Sequence, residues 1–112
     1  MSVGDKTEAL RLVKLAEAMM VELAMSPSSL TPGLMEDAKD ALFKAESIVP
    51  GIGAFHLACL NAYAGKYDLC RRWLERGLKQ GTLPDRAHLA SSAYFKKLHG
   101  EAWFERIIEG MK

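Results

Sequence analysis

An all-α fold in a single domain, residues 1–112, is predicted by three features of the chain. Stretches free of Gly and Pro carry apolar residues at helical spacing, and short connections rich in Pro, Gly and Ser separate them. A length of 112 residues with 49% hydrophobic content supports one modest core and is too short for two.

Taken in order, Asp5 followed three residues later by Glu8 resembles a capping box, and nothing from Ala9 to Met25 interrupts a helix. The first helix is therefore expected to end near Met25. Leu10, Leu12, Val13, Leu15, Ala16, Met19, Met20, Val21 and Leu23 cover more than one stripe, so this helix is either central or part of a self-association surface. Ser26-Pro27-Ser28-Ser29 stops it. Leu30-Thr31-Pro32 reads as a start signal: Thr31 as cap, Pro32 at the first helical position, Leu30 stapled to Met35. The second helix runs to about Ile48, with Leu34, Ala38, Ala41, Leu42 and Ala45 on one face.

Val49-Pro50-Gly51-Ile52-Gly53 is a tight connection. The third helix, from about Ala54 to Ala64, carries no Asp, Glu, Lys or Arg and is expected to be heavily buried or to line a groove. Gly65 ends it, and a fourth helix from Lys66-Tyr67-Asp68 runs to a glycine cap at Gly81. Pro84 opens a fifth segment, separated by Gly100 from a final helix bearing Trp103, Phe104, Ile107 and Ile108. Six helical segments with brief connections favour antiparallel neighbours.

Composition narrows the function classes. Lys plus Arg number 15 against 14 Asp plus Glu, a net charge of +1, so no global field points to nucleic acid or an anionic membrane. No signal peptide is visible, and no run reaches the roughly 18–20 apolar residues that span a bilayer. A cytoplasmic location is expected. Cys59 and Cys70 are the only cysteines, read as reduced thiols packed as small apolar groups.

Beyond the helices themselves, a pattern recurs: Gly33, then Ala38, Leu42 and Ala45; Gly65, then Cys70, Leu74 and Gly77. The offset of 32 residues is close to the roughly 34-residue tetratricopeptide period. The segment Phe55-His56-Leu57-Ala58-Cys59-Leu60-Asn61-Ala62-Tyr63-Ala64-Gly65-Lys66-Tyr67 resembles the hairpin signature of that family. The tail from Gly81 through Tyr94-Phe95-Lys96-Lys97-Leu98 to Trp103-Phe104 is similar to the closing segment of many bacterial members. The resemblance, over residues 33–108, implies about two antiparallel helical hairpins of tetratricopeptide (TPR) type, preceded by a long N-terminal helix and closed by a C-terminal capping helix. Three departures stand out: an unusually long first helix, a long loop over residues 26–31, and Thr82 where the first repeat has Pro50, which leaves the exit of the fourth helix undetermined.

In that family the first helix of each hairpin lines a concave partner-binding surface, so the resemblance assigns Phe55, His56, Cys59, Ala62 and Tyr63 to it. Helical spacing independently puts residues 52, 55, 56, 59 and 63 on one face. An apolar groove with one His and one Tyr suits a peptide or a partner helix. The alternative, that these residues are covered by the first helix or the C-terminal tail, stays open at this level. The Lys, Arg and Asn set that members use to clamp a C-terminal carboxylate is reduced here to His56 and Asn61.

Other chemistries have thinner support. His56 and Cys59 stand three apart on one helix but supply only two ligands, too few for a zinc site, even with His88 or His99 imagined as a third. Cys59 with His56 lacks an orienting acid and an oxyanion turn, so no catalytic residue is assigned. Arg71, Arg72, Arg76 and Lys79, with Lys96 and Lys97, are interrupted by Glu75 and read as a solvated face. Met19, Met20, Met25 and Met35 are core fillers or an adaptable surface, and Trp73, Trp103 and Phe104 anchor the C-terminal packing. The expectation is a non-catalytic protein-interaction scaffold without cofactor, metal, nucleic acid or membrane. The second reading is a homodimer through the first helix, or an accessory subunit of an enzyme complex.

Overall fold

The computed structural model describes residues 6–25 and 31–111. They form seven helices and no strand: α1 (Lys6–Met25), α2 (Thr31–Ile48), α3 (Ala54–Tyr63), α4 (Tyr67–Gln80), α5 (Arg86–Ser91), a 3-10 helix (Ala93–Leu98) and α6 (Ala102–Gly110). The predicted capping box at Asp5, the break at Ser26–Ser29 and the Leu30-Thr31-Pro32 cap and staple lie outside the described residues and side chains. No described helix is long and apolar enough to cross a membrane.

Sequence neighbours pair. The most extensive packing is α1 on α2 and α3 on α4, and α3 is the hub: it also meets α1, α2 and the 3-10 helix. Three residues, Ala64–Lys66, join α3 to α4, so two helices in such close contact must run in opposite senses. The uncharged α3 is buried as expected, at Ala54, Leu57, Ala58, Cys59, Leu60, Asn61 and Ala62, and Asn61 satisfies its amide by donating to the Leu57 carbonyl (2.8 Å). The recurring positions behave alike: Ala38, Leu42 and Ala45 on α2 and Cys70, Leu74 and Gly77 on α4 are all buried. Gly77 is closely approached by α3 and by the loop after α4, since a Cβ there would lie 2.5 Å from Leu83 Cδ2 and 3.2 Å from Ala54 Cβ.

The two inter-helix loops are tied together. Glu46, 7% exposed near the end of α2, accepts hydrogen bonds from the backbone N–H groups of Gly51 (3.0 Å) and Gly53 (2.7 Å) and from Arg76 Nε (2.9 Å). Gly51 has φ +92°, a left-handed conformation, and a Cβ there would meet Gln80 at 2.7 Å. Thr82, which departs from the repeat pattern, donates its hydroxyl to the Gly51 carbonyl (2.6 Å). Gly81 closes α4 in the left-handed conformation (φ +71°). The exit of α4 is thereby held against the loop that leads into α3.

The fifth predicted segment divides in two. Asp85 caps α5 by accepting from the His88 N–H (2.8 Å), and Ser92, extended at φ −64° and ψ 130°, separates α5 from the 3-10 helix. The physical reason is tertiary: beyond the break Phe95, fully buried, packs against Phe104, and the serines tolerate the change of course, the Ser91 hydroxyl bonding the His88 carbonyl (3.3 Å). Phe95, Leu98, Phe104, Ile107 and Ile108 seal this end. Phe95 stacks against Phe104 with ring centroids 5.8 Å apart, while Trp73 and Trp103 lie half-buried, Trp103 under the Arg71 guanidinium (5.8 Å). Two of the helix-4 cations are thus engaged within the fold: Arg71 also pairs with Glu75 (3.0 Å), and Arg76 pairs with Glu46.

Of the broad apolar surface of α1, Ala9, Leu12, Val13, Ala16, Met20 and Leu23 are buried. Leu10 and Leu15, each 43% exposed, and Val21 and Met25, 58% and 78% exposed, are not.

Candidate functional site

One face of α3 borders two depressions. The first, of about 480 Å³, lies between α1 and the C-terminal segment and is lined by Met20, Val21, Met25, Phe55, Cys59 and Tyr94, with Glu17, His56 and His88 at its polar margin. The second, of about 630 Å³, lies one to two turns further along α3, where Ala62, Tyr63 and Tyr67 face Tyr94, Lys96 and Lys97. Tyr94 borders both. Val21, Met25, Tyr63, Lys96 and Lys97 are exposed, so each depression opens to solvent.

The five residues assigned from sequence therefore divide: Phe55, His56 and Cys59 border the first depression, Ala62 and Tyr63 the second. Phe55 is half-buried and wedged among rings, with centroids 5.5 Å from His56, 5.8 Å from His88 and 6.0 Å from Phe95. The tail thus covers part of Phe55 and leaves Tyr63 42% exposed. Ile52, which spacing put on the same face, lies in the turn before α3, packs against the core and borders neither depression.

His56 is directed by α1. Its Nε2 lies 2.8 Å from Glu17 Oε2, and because a carboxylate only accepts, Nε2 carries the hydrogen. Its Nδ1 is buried with no hydrogen-bond partner among the described residues. Cys59 has no accessible surface; burial, with Cys70 adding to it, pushes its thiol far above the ordinary range. Burial likewise pushes the Cys70 thiol up to about 12. A thiol held protonated in an apolar wall contributes shape rather than nucleophilicity. Burial also pushes the Tyr94 phenol up.

The remaining histidines are spent on packing: His88 edges Phe55, and His99 Nε2 lies 2.8 Å from the Ala90 carbonyl. Among the described residues no three His, Cys, Asp or Glu side chains gather around one point.

Spacing on α3 alone missed the residues that complete the depressions. Glu17, Val21 and Met25 stand four apart on α1 and share a face, so a helical stripe would have nominated them together. For Tyr94, Lys96 and Lys97 no such signal exists, because only the reversal at Ser92 brings them back to α3. No known protein-family model matches the chain, and no curated protein and no solved structure is significantly similar to it.

Proposed function

We propose that this chain is a non-catalytic interaction module of tetratricopeptide type, which holds a peptide or a partner helix of another protein along α3. The observation that carries the reading is the pair of solvent-open, largely apolar depressions that share one face of α3 and one tyrosine, Tyr94. An apolar depression beside one edged by tyrosines and lysines offers the side chains of a bound segment both an apolar pocket and polar partners. The repeat reading is supported by the matching burial of residues 38, 42, 45 and 70, 74, 77, and by contact between α1 and α3, the first helices of the two pairs. Two free, buried thiols suit a reducing cytoplasm.

The test is affinity capture from the host lysate with wild type and a Val21→Glu, Tyr63→Glu double variant. Both positions are exposed, so the variant keeps the core, whereas Phe55 is locked against Phe95 and is the poorer site to charge. A partner kept equally by the folded variant would refute binding along α3.

A second reading, self-association or accessory-subunit assembly through α1, is favoured by Leu10 and Leu15, which are exposed and border neither depression. A monomeric mass in light scattering at high concentration would remove the homodimer.

A further inference from the structure

Resting on the groove reading above, we infer that the preferred occupant is an extended acidic peptide whose apolar anchor enters the first depression and whose carboxylate, three to four residues away, meets Lys96 and Lys97. Three observations lead there. The first depression is apolar over most of its wall, with Met20, Val21, Met25 and Phe55 around the buried Cys59. In the second, Lys96 and Lys97 are exposed, stand side by side at the end of the 3-10 helix and form no ion pair with any described residue. Among the described residues no Asp or Glu borders that depression; its other polar side chains are Tyr63, Tyr67 and Tyr94, whose hydroxyls are able to donate. Two ammonium groups and three phenols around a wall of Ala62, Ala64, Gly65 and Ala93 form a site for a carboxylate, while the small wall residues leave room for the backbone that carries it.

The spacing follows from α3 itself. Residues 55 and 63 are eight apart, about 12 Å along the helix axis. An extended chain covers about 3.3–3.6 Å per residue, so three to four residues span the two depressions from the Phe55 end of one to the Tyr63 end of the other. Among the described residues the one acidic group at the apolar depression, Glu17, is hydrogen-bonded to His56. It repels acid at that end and sets the direction in which the charge must lie.

The experiment pans the purified chain against a phage-displayed random dodecapeptide library, then measures selected peptides by fluorescence anisotropy. Selected sequences are expected to carry Asp or Glu three to four residues from a large apolar residue. Replacing the acid by Asn or Gln should weaken binding about tenfold at low salt, with the difference shrinking as salt screens the pairing. Lys96→Glu, Lys97→Glu, a surface variant that leaves the core intact, should abolish the preference for acid while Val21→Glu, Tyr63→Glu abolishes binding altogether. Peptides that bind through Val21 and Tyr63 but show no enrichment of acid, or whose affinity ignores the lysine variant, would overturn this inference and leave the groove reading standing. If no peptide is selected, or if selected peptides bind the Val21→Glu, Tyr63→Glu chain equally well, both fall.

Discussion

Removing the Glu46 carboxylate should loosen the junction that aims α3. Its two oxygens hold the N–H groups of Gly51 and Gly53 and the Arg76 guanidinium at 2.7–3.0 Å, in a setting where Glu46 itself is 7% exposed. In Glu46→Ala the two glycine donors, on buried residues, lose their only side-chain acceptor. Each unsatisfied buried donor costs about 1–3 kcal/mol, while the half-exposed Arg76 is rehydrated at small cost, so about 3 kcal/mol of stability should be lost. Glu46→Gln retains one oxygen but turns an NH2 donor towards the second N–H, for a loss of about 2 kcal/mol. Arg76→Ala, which removes only the exposed partner, should lose about 1 kcal/mol or less. Urea titration followed by far-ultraviolet circular dichroism measures all three. If Glu46→Gln and Arg76→Ala proved equal, the ion pair rather than the backbone cradle would be the stabilising element. If Glu46→Ala stayed within about 0.5 kcal/mol of wild type, the cradle would have no energetic standing.

Gly77→Ala gains up to about 1 kcal/mol of helix propensity but forces a methyl group against Leu83 and Ala54, an overpacking that costs about 1–3 kcal/mol. A net loss is expected in the melting temperature, and Leu83→Ala in the same chain should recover part of it; a stabilised Gly77→Ala would refute the close approach. The thiols of Cys59 and Cys70 should resist iodoacetamide in the native chain at pH 8 and both react once it is unfolded, a contrast that rapid native labelling would contradict. Their folded pKa values are raised, so their contribution to stability is complete below the unfolded thiol range. It is lost as pH rises from about 8.5 towards 12, because the unfolded chain then binds fewer protons. Urea midpoints that are unchanged between pH 8 and 10.5 in wild type relative to Cys59→Ala, Cys70→Ala would count against this.

How much was legible beforehand varies with the kind of interaction. Helix positions were readable because caps, prolines and glycines act within a few residues: Gly81 ends α4 where a glycine cap was expected, and the uncharged third helix is buried. The core positions at 38, 42, 45 and 70, 74, 77 were readable because helical periodicity is set by local geometry. The division of the fifth segment at Ser92 was not, since a serine pair either continues or breaks a helix according to what lies beneath it, here the Phe95–Phe104 contact.

The candidate site divides along the same line. The chain alone determined that α3 is uncharged and that Phe55, His56, Cys59, Ala62 and Tyr63 share one side of it, because that depends on a 3.6-residue turn and nothing more distant. Only the tertiary structure decided that this face is half covered: the tail closes over Phe55, Glu17 takes the His56 ring, and Tyr63 is left beside two lysines more than thirty positions along the chain. Such juxtapositions arise from the way whole helices pack and where the chain turns back, and no local spacing encodes them.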